Sequence, residues 1–278
     1  MTARVAVPSR GRLRDDVVAL LHGAGYGTSA FRGTGARVPF DGVEFIEMRP
    51  RDAAAWLAAG RVEGAFISTD IALEEGLDHM QAIPLGTTRS DLVVASRDDD
   101  GRLTAADLEG AVVATHMPNV TAAWFAERGI AIKIVAMGGA LEGVCAAGLA
   151  DAIVDLRETG TSLSQNRLRV LATMAHCEAL FVHNADPGLA DLALRMEATL
   201  DARQQRYVML HIPRAKLDEL VSVFPGLASP TVLPLAGRDD LVAVHLVVEA
   251  SFFWAHLGEI RAAGATGIVS LSPDALLR

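Results

Sequence analysis

The chain has 278 residues, 51% of them hydrophobic and 21% charged, with a net charge of -9 and two cysteines. That length fits two or three domains of roughly 100–150 residues with ordinary packed cores. The acidic balance argues against nucleic acid or an anionic membrane as a partner, two cysteines argue against a disulfide framework, and no apolar run approaches the roughly 18 residues of a membrane span.

The chain goes straight into a strand, Arg4-Val-Ala-Val-Pro8, with no leader pattern, so a soluble, cytoplasmic protein is expected. Ser9-Arg-Gly-Arg12 follows, then a helix from Leu13 carrying Val17, Val18, Leu20 and Leu21. A glycine turn flanked by arginines at the end of a strand suits an anionic ligand, and a solvated loop has the same composition. Residues 42–48 read as a strand, Arg49-Pro-Arg-Asp52 leads into a helix over 53–59, and a short strand from Gly64 ends with Asp70 just beyond it. Asp70 fits either a cleft carboxylate or a helix N-cap. Residues 81–96 carry two strands interrupted by Gly86-Thr-Thr-Arg89. A strand over 111–115 precedes a helix starting in 116–121, where Asn119 and Thr121 read as ordinary caps, and a strand over 132–137 precedes a helix over 140–147 that carries Glu142.

The chemistry concentrates between Gly148 and Leu163. Ala152-Ile-Val154 is short enough for a buried strand, and Glu158-Thr-Gly-Thr-Ser162 is a turn rich in hydroxyls before a helical turn over 163–168. A strand, a glycine- and hydroxyl-bearing loop and a helix start make a phosphate cradle, because backbone N–H groups at a helix N-terminus attract an anion and Thr and Ser add donors. Simple capping by Thr would give the same pattern. Asp151 and Asp155, four residues apart, fall on one face of the strand and are candidates to hold sugar hydroxyls or a metal near that phosphate.

Strands over 168–172 and 179–183 follow, then a helix from Asp186-Pro187 to about 202, with Pro187 suited to a first helical position. The alternation before residue 200 predicts a mostly parallel sheet. From residue 206 the order is strand, helix, strand, strand, helix, strand, which is the ferredoxin-like unit. The two cysteines and eight histidines show no metal-ligand spacing, which rejects a zinc site.

Asp-Ala-Ile-Val-Asp-Leu-Arg-Glu-Thr-Gly-Thr-Ser-Leu, residues 151–163, resembles the phosphoribosyl-pyrophosphate (PRPP) loop of the ATP phosphoribosyltransferases, which open histidine biosynthesis. Arg-Pro-Arg-Asp at 49–52, Ala-Thr-His-Met-Pro-Asn-Val-Thr at 114–121 and Gly-Ala-Leu-Glu at 139–142 are similar to phrases of the same family. So are Arg-Tyr-Val-Met-Leu at 206–210, Pro-Gly-Leu-Ala-Ser-Pro-Thr-Val at 225–232 and Gly-Ala-Thr-Gly-Ile at 264–268. The chain departs from the family's usual residues with Arg10 in place of Lys, Ser68 in place of Gly, and Thr87 and Asp91 in a segment that usually reads Gly-Phe-Gly followed by a basic residue.

The resemblance implies the long form of the family, an α/β protein with a two-lobed, type II periplasmic-binding-protein-like catalytic body and a C-terminal ferredoxin-like (ACT-like) regulatory domain. One lobe would comprise 1–90 with 178–204, the second 91–177, and the regulatory domain 205–278. The implied reaction joins N1 of the adenine of ATP to C1 of the ribose of PRPP, releasing pyrophosphate with the help of Mg2+. Arg10, Glu142 and Asp155 would be catalytic. Arg49, Asp70, Asp151, Glu158, Thr159, Gly160, Thr161 and Ser162 would bind substrate. Histidine would inhibit through a site near His211 and Thr231, and dimers would assemble into hexamers. Two alternatives stay open: a non-catalytic nucleotide- or solute-binding protein on the same bilobed fold, and a catalytic subunit that needs a separate regulatory partner, against which the C-terminal unit argues.

Overall fold

The computed structural model describes residues 2–32, 37–40, 42–224 and 229–277. Its contacts divide the chain into two compact units, Met1–Ala19 with Gly27–Ala190, and Leu20–Tyr26 with Asp191–Arg278.

In chain order the first unit contains β1 (Ala3–Pro8), α1 (Arg12–Gly23, whose last turn belongs to the second unit), β2 (Arg37–Phe40), β3 (Val43–Met48), α2 (Pro50–Ala58), β4 (Gly64–Ser68), α3 (Thr69–Glu74) and β5 (Gln81–Pro84). It continues with β6 (Ser90–Arg97), β7 (Val112–Thr115), α4 (Pro118–Ala126), β8 (Lys133–Ala136), α5 (Leu141–Ala146), β9 (Ala152–Arg157), α6 (Thr161–Gln165), β10 (Leu168–Cys177) and β11 (Ala179–His183). These strands form two sheets, ordered β2-β3-β1-β4-β11-β5 and β10-β6-β9-β7-β8. The chain leaves the first sheet after β5 and re-enters it at β11, so the body has two lobes joined by two crossovers, as the resemblance implies.

The two sheets are mixed, not mostly parallel as the alternation predicts, with antiparallel strands flanking a parallel centre in each lobe. In the first, β1 lies between parallel β3 and β4; in the second, β7 lies between parallel β8 and β9. Such strands are covered on both faces and read as continuous apolar runs: Val5, Ala6 and Val7, like Ala65, Phe66 and Ile67, are fully buried. β2 has no sequence signal because it is a four-residue edge strand containing Pro39, and edges are where a sheet tolerates proline. β10 is twice as long as its sequence pattern suggested, since register shifts between Val170 and Ala172 and between Thr173 and Ala175 break its alternation.

The second unit contains α7 (Ala190–Arg203), β12 (Gln205–Pro213), α8 (Leu217–Val223), β13 (Thr231–Leu235), β14 (Arg238–Glu249), α9 (Ala250–Ala262) and β15 (Thr266–Leu271). Its sheet is antiparallel in the order β13-β14-β12-β15, the ferredoxin-like order. Val208, Leu210 and Ile212 of β12 and Val242, Val244 and Leu246 of β14 pack against Leu220 and Phe224 from the α8 segment and Phe253 and Ile260 of α9. The helix expected from Asp186 begins instead as a 3-10 turn over Pro187–Leu189, whose N-cap Asp186 accepts a bond from Gly188 N–H. α7 packs with this unit, and the reason is visible at Gly23: a Cβ there would come within 2.9 Å of Thr199 Cγ2. Residues 225–228, half of the Pro-Gly-Leu-Ala-Ser-Pro-Thr-Val phrase, lie outside the described residues.

Candidate active site

In open α/β sheets ligands gather beyond the carboxyl ends of the strands, and the sequence candidates lie mostly there. In the first lobe Pro8 pairs with Met48, and Ser9 N–H donates to Met48 O at 2.9 Å. The turns after β1 and β3 are therefore neighbours, and they carry Arg10 and Arg49. Both arginines are exposed and neither is in an ion pair among the described residues. Gly11, at φ +83°, closes the first turn in the left-handed region that favours glycine.

In the second lobe β7, β8 and β9 end at one edge. After β9 comes the hydroxyl loop: Gly160 is left-handed at φ +79°, the hydroxyls of Thr159 and Thr161 are 3.0 Å apart, and Ser164 N–H donates to Gly160 O to open α6. Buried Leu163 anchors the turn, leaving Thr159, Thr161 and Ser162 exposed. Thr161 N–H donates to Thr159 Oγ1 at 3.5 Å, and the N–H groups of Ser162 and Leu163, which have no intrahelical acceptor, add backbone donors beside the threonine hydroxyls. Glu142, in the first turn of α5, accepts a hydrogen bond from Ser162 Oγ.

Asp155 lies two residues before the end of β9, with its side chain 19% exposed. It accepts a bond from Leu156 N–H at 2.8 Å, and its Oδ1 is 3.6 Å from His116 Nδ1. Burial pushes the Asp155 carboxyl above its ordinary range and the charge of Glu142 adds to this, while the Leu156 N–H and His116 oppose it. A carboxylate with its pKa raised by burial beside a second acid and a histidine is a functional-site signature.

The structure separates two candidates from this group. Asp151 does share a face with Asp155, but four residues of strand put them roughly 13 Å apart, and Asp151 sits at the far end of β9. There it accepts from Val112 N–H at 2.9 Å and pairs with Arg102 at 3.0 Å, bonds that hold its carboxyl below the usual range. It is a strand-end anchor, away from the loop. Asp70 is 2% exposed inside the first turn of α3, where Ser68 is the N-cap, so it neither caps the helix nor reaches solvent.

The departure at position 91 has a structural partner. Asp91 bonds Arg157 at 2.6 Å and His176 at 2.7 Å, which together keep its carboxyl below the usual range. This cluster, with Arg89, Glu158 and Glu178, lines a pocket of about 330 Å³ at the crossovers. Thr87 Oγ1 is buried with no hydrogen-bond partner among the described residues.

Three residues at the lobe boundary were not singled out from the sequence. Arg12 pairs with Glu158 at 3.0 Å, Arg51 donates to His116 O at 2.7 Å, and His116 faces Asp155. These contacts bring the arginine turns of one lobe against the hydroxyl loop and the β7–α4 turn of the other. In the second unit, His211 and Thr231 lie on the sheet face opposite the core, opposite Ala243 and His245 respectively, with β14 between them.

The sequence profile described as "HisG: ATP phosphoribosyltransferase" matches residues 49–201, and that described as "HisG, C-terminal domain" matches residues 202–272. The ATP phosphoribosyltransferase of Halobacterium salinarum is 36% identical over 273 residues, 96% of each chain. That of Gemmatimonas aurantiaca is 34% identical over 282 residues, again 96% of each chain. Among solved structures, the ATP phosphoribosyl transferase (HisG:HisZ) complex from Thermotoga maritima aligns at a TM-score of 0.57 and 28% identity, covering 66% of this chain and 87% of that one. With both profiles side by side over residues 49–272 and relatives matched almost end to end, the chain belongs to the ATP phosphoribosyltransferase family, pentosyltransferases of histidine biosynthesis.

Proposed function

We propose that the enzyme condenses ATP with PRPP to give N1-(5-phosphoribosyl)-ATP and pyrophosphate. The observation that carries this reading is the left-handed Gly160 loop with Thr159, Thr161 and Ser162 exposed at the carboxyl end of β9. In this reading the loop holds the 5-phosphate of PRPP through N–H and hydroxyl donors. Asp155 and Glu142 orient the ribose hydroxyls and stabilise positive charge developing at C1. Arg10 and Arg49 meet substrate phosphates, a role suited to guanidinium geometry. Glu158, tied to Arg12, orders the loop entrance. Catalysis is then positioning and electrostatics, with no protein nucleophile.

Mg2+ fits the donor set. Among the described residues no group of three or more His, Cys, Asp or Glu forms a protein cage, and the oxygens of Asp155 and Glu142 suit a hard cation bound mainly through substrate phosphates. When present it would neutralise charge on the leaving pyrophosphate.

Histidine is the proposed feedback inhibitor, bound by the C-terminal unit at the face carrying His211 and Thr231. Inhibition then requires histidine to favour a less active arrangement, and a homo-oligomer passing between dimer and hexamer supplies one. No helix among the described residues is long and apolar enough to cross a membrane, in keeping with the cytoplasmic placement we propose. The test is incubation with ATP, PRPP and Mg2+, with the adduct identified by mass spectrometry and pyrophosphate measured. ATP and PRPP recovered unchanged would refute the assignment.

A further inference from the structure

The helix α4 starts without a cap of its own. Its N-cap is Met117, which makes no side-chain cap bond, and its first residue, Pro118, has no N–H to offer. The carboxylate that serves this helix end comes from the other lobe. Glu74, the last residue of α3 and only 6% exposed, accepts from Asn119 N–H at 3.1 Å through Oε1 and from Val120 N–H at 2.9 Å through Oε2. The Asn119 side-chain amide donates back to Glu74 O at 3.2 Å. A buried carboxylate set on two first-turn N–H groups meets the positive end of the helix dipole as well as two orphan donors.

The segment so held leads into the candidate site. Thr115, fully buried at the end of β7, donates to Val154 O at 3.0 Å and accepts from Met117 N–H at 3.0 Å. His116 lies between them, its carbonyl held by Arg51 of the first lobe and its ring 3.6 Å from Asp155. Residues 115–120 are thus fixed to their own sheet by Thr115 and to the opposite lobe by Arg51 and Glu74. The side-chain ion pair described above across the lobes, Arg12 with Glu158, is more than half exposed on both sides, where such pairs contribute little. Ile71, one turn before Glu74, packs against the second lobe's core.

We propose that Glu74 is a positioning residue for phosphoribosyl transfer: by capping α4 across the lobe boundary it sets the angle between the lobes and holds His116 against Asp155. The kinetic part rests on the proposed reaction; the geometric part stands without it. Glu74→Gln keeps the volume but removes the charge and turns an NH2 group toward one of the two N–H donors. Spin labels at Trp56→Cys in the first lobe and Leu103→Cys in the second report the inter-lobe distance by pulsed dipolar spectroscopy on the full chain. Both positions are exposed. The native Cys145 and Cys177 are buried, and burial pushes the Cys177 thiol up to about 12, so neither competes for label. Expected are one narrow distance in the parent protein, a broadened or shifted distribution in Glu74→Gln, and a fall in kcat of about tenfold or more that exceeds any change in KM for either substrate. Should Glu74→Gln fail to fold, Glu74→Asp, which keeps the charge and shortens the reach by one methylene, is read in the same way. A distribution that superimposes on the parent's overturns the proposal, as does a broadened distribution with unchanged kcat. If the parent itself makes no phosphoribosyl-ATP, the proposed reaction falls, and the distance measurement still decides whether Glu74 sets the lobes.

Discussion

Replacing Asp155 by asparagine should separate activity from stability. The side chain is about four-fifths buried and has one backbone N–H as its hydrogen-bond donor, so ionising it is opposed by desolvation and by Glu142. Asparagine has the same shape and still accepts from Leu156 N–H. If the carboxylate contacts substrate, the loss is one charge-assisted contact, about 1.5–3 kcal/mol, or about tenfold to a hundredfold in kcat. Stability should move the other way. Because the folded pKa is raised, the unfolded chain releases this proton first. The ionised group therefore costs stability, in full above the raised value and not at all below the ordinary value of about 3.9. Asp155→Asn should melt no lower than the parent at pH 7, and its advantage should shrink as the pH falls through that window. Product formation and thermal melting at pH 7 and about pH 4 measure both halves. Parent-like turnover would remove Asp155 from the site, and a large drop in melting temperature at pH 7 would show that its burial cost had been misjudged.

Thr161→Val should lower kcat by about tenfold or more with little change in melting temperature, since it deletes one exposed donor of the loop; equal turnover in steady-state assays would count against the phosphate cradle. Gly160→Ala places a side chain at φ +79°, at a cost of about 1–2 kcal/mol, so melting should fall by about 2–8 °C; calorimetry showing no change would mean the turn relaxes freely. The Asp151 carboxyl is held below its ordinary range by Val112 N–H and Arg102, so its stabilisation is present above about pH 3.9 and lost as pH falls through the lowered value. Asp151→Asn should therefore melt lower than the parent at pH 7 and converge with it in acid, and parallel melting curves would contradict that. Titration calorimetry of histidine into the full chain should give a binding isotherm that His211→Ala and Thr231→Ala weaken; no heat with the parent protein would end the regulatory reading.

The hydroxyl loop was legible because its signal is local. An apolar strand, then Thr-Gly-Thr-Ser, then a buried Leu163 prescribe a strand, a left-handed turn and a helix start within a dozen residues. The ferredoxin-like unit was legible for the same reason, since its two central strands, β12 and β14, alternate against one core face. Alternation assigns a face but not an end, which is why Asp151 and Asp155 read alike and differ in place. Asp70 was ambiguous because a carboxylate just after a strand fits a cap, a cleft or a buried turn equally well, and only the packing of α3 decides among them. Arg10 and Arg12 share one turn and only the resemblance singles out Arg10; the pair that Arg12 makes with Glu158, 146 residues away, has no local signal.

Non-local partners explain the rest of what the sequence concealed, and α4 is the clearest case. A helix beginning Met117-Pro118 with no Ser, Thr, Asp or Asn at its N-cap is an unfinished pattern, because Pro118 brings no N–H and the N–H groups of Asn119 and Val120 still need acceptors. The sequence offers Asn119 and Thr121 as ordinary caps, but both lie inside the helix after the N-cap Met117, and the acceptor that serves this end, Glu74, is 45 residues earlier and looks like any last-turn helical glutamate. The gap is a demand for an acceptor from elsewhere in the fold. In a two-lobed body the cheapest acceptor to supply from the opposite lobe is one that also fixes the angle of closure. That makes an uncapped helix facing a lobe boundary a place to look for residues that position an active site without touching substrate.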